Sequence, residues 1–120
     1  MTYTGPERRK YPRINSRFVV SYRLLEEENN VDITQTKNLS LGGLLLTTNK
    51  AFQIGANIAL EIRVPYDRKP IMLIAKVVAS HEVTKNLIYD TRIKFIAMDK
   101  RYVKALAQTV DFYLEKGDTK

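Results

Sequence analysis

Two short clusters hold the side chains best suited to chemistry: Arg8-Arg9-Lys10-Tyr11-Pro12-Arg13 and Asn38-Leu39-Ser40-Leu41-Gly42-Gly43. An arginine presents a planar fork of donors that meets a phosphate through two hydrogen bonds. The same fork matches the O6 and N7 acceptors of guanine, and its face stacks on a base. Arg9 and Arg13 stand four positions apart with Pro12 between them. Proline disfavours the helical conformation at Tyr11, so the spacing predicts an extended arm whose two guanidinium groups reach different parts of one ligand. Ordering such an arm on binding costs entropy. In the second cluster, Asn38 and Ser40 fall outward if Leu39 faces a core, and an amide beside a hydroxyl suits the donor and acceptor edge of a base. Gly43 lets backbone approach a ligand with no side chain in the way. Together the clusters suit an anionic ligand carrying purine rings. Each also has a plainer reading, the first as a solvated basic tail and the second as a β-turn or bulge.

Catalytic chemistry finds little support. The chain of 120 residues has no cysteine and a single histidine, His81. Neither a zinc-thiolate site nor a disulfide framework is available, and no nucleophile stands with a base and an orienting group. His81 reads as a surface residue near a strand end, and Glu26-Glu27-Glu28 as a solvated loop. Tyr11 either stacks on a base or covers protein surface. The net charge is +7, and residues 1–25 carry six basic residues against Glu7 alone, which is +5 of that excess. A basic segment of this kind implies an anionic partner such as nucleotide phosphate, nucleic acid or acidic lipid.

The elements that must position these groups follow from periodicity. Residues 17–25 alternate, with Phe18, Val20, Tyr22 and Leu24 on one side. Further strands are expected at 31–39, 44–48, 58–64, 71–83 and 87–97, with Leu41-Gly42-Gly43 as a bend or bulge. The period then changes: Val103, Leu106, Val110 and Tyr113 recur at helical spacing, Asp99 stands at the N-cap position and Gly117 ends the run. Six short strands, frequent turns and one trailing helix argue an all-β protein, a six-stranded antiparallel β-barrel or sandwich, with the helix able to cap an open end. The expected division is a flexible N-terminal basic arm at 1–15, a barrel with its helix at 16–116 and a polar tail at 117–120. No apolar run is long enough to span a membrane and no segment reads as a signal peptide, so a cytoplasmic protein is the expectation.

An Arg8-Arg9-x-x-x-Arg13 arm, a strand and then Asn38-x-Ser40-x-x-Gly43 in a small barrel form a more specific constellation than either part. On these residues the chain resembles the PilZ domain family, from about Glu7 to the helix near residue 115. The family's six-stranded antiparallel barrel with a trailing helix matches the elements above. The resemblance implies binding of the bacterial second messenger cyclic di-GMP, with no other cofactor and no metal. It implies that Arg9 and Arg13 hold phosphates and guanine edges, and that Asn38, Ser40 and Gly43 line the surface receiving a guanine. The residue at Arg8 is thought in the family to influence whether one messenger or a stacked pair binds, and an arginine there favours the pair. One departure stands out. Many members carry a glycine in the last strand where this chain has Arg92, a cation that either crowds the site or adds a phosphate contact.

The resulting expectation is a stand-alone receptor, not an enzyme, whose arm orders on the barrel and alters a surface read by a downstream protein partner. Two other classes remain. One is a small basic barrel that binds nucleic acid, against which stands the lack of tryptophan and of aromatics along a basic groove. The other is a module with the same fold and no ligand.

Overall fold

The computed structural model describes residues 12–27, 31–64 and 69–117. Six strands precede one helix: β1 (Val19–Leu24), β2 (Asp32–Leu39), β3 (Gly43–Thr48), β4 (Asn57–Ile62), β5 (Ile71–Thr84), β6 (Ile88–Met98) and α1 (Lys100–Glu115). They close into a barrel in the order β1-β2-β3-β6-β5-β4, and every neighbouring pair is antiparallel. Closure satisfies the hydrogen-bonding edges that an open sheet would expose.

The alternation of the sequence sets which residues turn inward. Val20 and Tyr22 of β1, Leu44 and Leu46 of β3, Ile58, Leu60 and Ile62 of β4, and Ile71, Leu73, Ala75 and Val77 of β5 are all buried. The β4 strand ends at Ile62 rather than at residue 64, although Val64 stays buried. The buried threonine hydroxyls find partners, as burial requires. The Thr36 hydroxyl accepts from the Phe18 amide at 3.0 Å and donates to the Ser16 carbonyl at 3.2 Å. The Thr48 and Thr91 hydroxyls lie 2.9 Å apart. Tyr22 is 3% exposed and meets Phe52 edge to face at 5.9 Å. Burial, with the Asp32 carboxylate adding to it, pushes its hydroxyl up to about 12.

The register shifts once between β2 and β3 and three times between β5 and β6, and two of these shifts bear on the recess described below. On β2, Thr36 faces Leu46 but Asn38 faces Leu45, which leaves Lys37 as an extra residue. On β5, Val77 faces Ile93 but Ala79 faces Arg92, which leaves Val78 extra. Thr36 and Leu39 consequently both point inward although three positions apart.

Residues 1–11 of the expected arm lie outside the described residues. The segment just beyond them is tied to the barrel. Ile14 is fully buried, and its amide and carbonyl exchange 2.9 Å hydrogen bonds with Leu39 at the end of β2. The α1 helix begins where expected, with an Asp99 carboxylate oxygen accepting from the Arg101 amide at 3.0 Å. Its Leu106 and Val110 enter the common core, and Tyr113 meets Phe18 edge to face at 5.4 Å. At its end the Gly117 amide bonds the Leu114 carbonyl at 3.0 Å, with a φ of 77° that suits glycine.

Candidate functional site

The β2–β3 turn is braced from within. Ser40 follows the last residue of β2, so strand alternation no longer governs its direction. Instead of pointing outward with Asn38, Ser40 is 9% exposed. Its hydroxyl accepts from the Gly42 amide at 3.1 Å and the Gly43 amide at 3.2 Å, and donates to the Gly43 carbonyl at 3.2 Å. The Ser40 amide bonds the same carbonyl at 2.9 Å. Gly43 then pairs with Lys94 across β6. A Cβ at Gly43 would collide with the Ile93 carbonyl oxygen and come within 3.3 Å of the Lys94 Cα. The space left by the missing side chain is therefore filled by β6.

Beside this turn lies a recess of about 380 Å³. The chain entering β1 contributes Arg13, β2 and the residue after it contribute Asn38 and Ser40, and the turn into β3 contributes Gly42, Gly43 and Leu44. The β6 strand adds Arg92, Ile93 and Lys94, and the β5 bulge adds Val78. Of the seven residues expected from the sequence, the structure brings together Arg13, Asn38, Ser40, Gly43 and Arg92. Arg8 and Arg9 lie outside the described residues, as does Tyr11.

Five lining residues were not among those expected, of which Leu44 and Ile93 simply follow Gly43 and Arg92 along their strands. Lys94 stands two positions after Arg92 and so shares its outward face, a relation visible in the sequence. Gly42 enters with the turn. Val78 enters through the β5 bulge, which no periodicity announces.

The recess is one-sided in charge. Arg13, Arg92 and Lys94 line it, and none of its described lining residues is acidic. The neighbouring carboxylate on β6, Asp90, is paired at 2.8 Å with Lys37 from the β2 bulge. On the other side Lys94 stands directly opposite Lys76 of β5, a like-charge pairing that an anion relieves. Donors of this kind grip phosphate or a base edge. Among the described residues no group of three or more His, Asp or Glu side chains is placed to hold a metal ion. His81 is exposed on β5.

The PilZ domain model matches residues 7–112, and the chain belongs to the PilZ domain family. Among curated proteins none matches. Solved structures share the fold at low identity. The inhibitor of motility MotI/DgrA from Bacillus subtilis superposes with a TM-score of 0.74 at 20% identity, covering 92% of this chain and 51% of that one. The PilZ domain of YcgR from Escherichia coli, solved with c-di-GMP, gives 0.71 at 18% identity over 92% of this chain and 95% of that one. The c-di-GMP complex of K. pneumonia MrkH gives 0.69 at 18% identity over 92% and 55%. The chain thus spans about half the length of MotI/DgrA and of MrkH.

Proposed function

We propose that this chain is a receptor domain for cyclic di-GMP and not an enzyme. The observation that carries the reading is the recess itself: Arg13, Asn38, Ser40, Gly43 and Arg92, distant in sequence, converge on one pocket whose described lining holds cations and no carboxylate. Family membership and the complexes of YcgR and MrkH with this messenger support it. In this reading Arg9 and Arg13 hold phosphates and guanine edges, Asn38 presents its amide to a guanine, and Ser40 keeps the turn in the shape that receives it. Arg92 and Lys94 add charge on the β6 side. Arg8 favours a stacked pair of messengers. Binding orders the N-terminal arm on the barrel and changes the surface offered to a protein partner in the cytoplasm.

Isothermal titration calorimetry with cyclic di-GMP, with GTP and cyclic GMP as controls, tests this directly. Selective binding that drops at least tenfold in Arg9→Ala/Arg13→Ala is expected, with a stoichiometry of two messengers per chain. Heat within twofold of wild type in that variant, its barrel intact, removes the arm from the site. Absence of heat at high messenger concentration overturns the receptor reading.

A further inference from the structure

A second and larger depression, of about 700 Å³, lies on the outer face of the barrel where β1, β4 and β5 run side by side. Two cross-strand rows make its floor. Ser21, Glu61 and Met72 face one another in the first, and Arg23, Ala59, Ile74 and Ala97 in the second. The floor is low where Ser21, Ala59 and Ala97 are small. Leu25 and Val31 border it, 41% and 54% exposed, and Met72 is 48% exposed. Grouped apolar exposure of this sort marks an interaction surface more than scattered residues do.

The architecture restricts the occupant. Each floor strand is already paired on both sides, β1 with β2 and β4, β4 with β1 and β5, and β5 with β4 and β6. No backbone edge is left there for an added strand, so recognition runs through side chains. With Ala97 of β6 in the second row, four strands set about 4.8 Å apart give a floor about 14 Å wide, which seats an α-helix of about 10–12 Å with its side chains. The surface is concave, which suits a helix better than the flat face of a bilayer.

The charges restrict it further. Glu61 stands in the floor between Ser21 and Met72, and no cation pairs with it among the described residues. Arg23 is turned to the Leu24, Leu25 and Glu27 carbonyls, each at 3.3 Å. Asp99 is occupied as the helix cap. The next outward position on β5 beyond Ile74 is Lys76, opposite Lys94. A second copy of this chain is a poor occupant, because its exposed helix face brings Lys100, Arg101 and Lys104 toward a protein of net charge +7.

We propose that this groove docks an amphipathic helix of a partner protein. That helix carries an apolar stripe, one Lys or Arg set against Glu61, and carboxylates at the end lying over Lys76. The surface deepens the receptor reading, which supplies the reason for a partner, yet its physical argument stands apart from messenger binding. The β5 strand joins the two sites: its outward residues pass from Met72 and Ile74 through Lys76 to Val78 in the recess wall.

The test uses the full chain and two designed helical peptides with the same Leu/Ala stripe and acidic end, one with a central Lys and the other with Glu there. Amide NMR shifts and fluorescence anisotropy are read without messenger and then with it. The Lys peptide is expected to shift resonances of Ser21, Ala59 and Ile74. Met72→Glu abolishes binding, and Val83→Glu on the far hairpin leaves it unchanged. Glu61→Lys weakens the Lys peptide about tenfold and restores the Glu peptide by a similar factor. Equal binding of the two peptides by wild type, or no groove shifts at millimolar peptide, overturns the proposal. So does self-association in sedimentation, or binding to anionic phosphatidylglycerol vesicles, that Met72→Glu removes. Because the first readings contain no messenger, failure of cyclic di-GMP to bind leaves the peptide result intact.

Discussion

Gly43 and Ser40 illustrate how a residue in a ligand motif also serves the fold that presents it. A methyl group at Gly43 meets the Ile93 carbonyl of the adjacent strand, so Gly43→Ala must push β3 and β6 apart. A loss of about 1–3 kcal/mol is expected, the usual range for overpacking. Ser40→Ala leaves the Gly42 and Gly43 amides without their acceptor, at a cost of about 1 kcal/mol, since both amides are only half-buried. Arg92 differs, since its half-exposed side chain makes no ion pair among the described residues. Arg92→Ala is expected to keep the wild-type urea midpoint while changing cyclic di-GMP affinity. Urea titration of the three variants, paired with calorimetry, separates the roles. A wild-type midpoint for Gly43→Ala would show that the two strands have room to spare.

At the scale of elements, α1 depends on its first turn as well as on its buried face. Asp99→Ala removes the side chain that accepts from the Arg101 amide and is expected to cost about 1 kcal/mol. Hydrogen exchange should speed first at Arg101 and Tyr102, and unchanged exchange there would deny the cap its role. This helix was legible in the sequence because Asp99, the helical period and Gly117 all act locally. The six strands were legible for the same reason, alternation being a local property wherever one face is buried. Legibility failed at the bulges. An extra residue at Lys37 or Val78 disturbs the pattern by one position, and only the register of the facing strand reveals it. These two bulges adjoin the recess, one setting the direction of Asn38 and the other putting Val78 in the wall. The orientation of Ser40 escaped as well, because a hydroxyl that braces its own turn and one that faces a ligand have the same spacing.

The whole molecule responds to pH through Tyr22. Its hydroxyl titrates at about 12 in the barrel, raised by burial and by Asp32, against the ordinary tyrosine value of about 10 in an unfolded chain. The protonated form is favoured by folding, so this contribution to stability is complete below pH 10. It is lost as pH rises through 12, because the unfolded chain gives up its proton first. The urea midpoint of wild type should fall across that interval more steeply than that of Tyr22→Phe. Parallel curves would mean that the hydroxyl is equally hydrated in both states.

The pairing of Gly43 with Lys94 has a consequence for synthesis. A chain emerging from the ribosome can join β1 to β2, and β2 to β3, from residues made close together. The recess must wait, since its β6 wall is translated some fifty residues after the turn it faces. Translation thus yields the messenger pocket late, and a nascent barrel lacking β6 has no assembled site with which to compete for ligand.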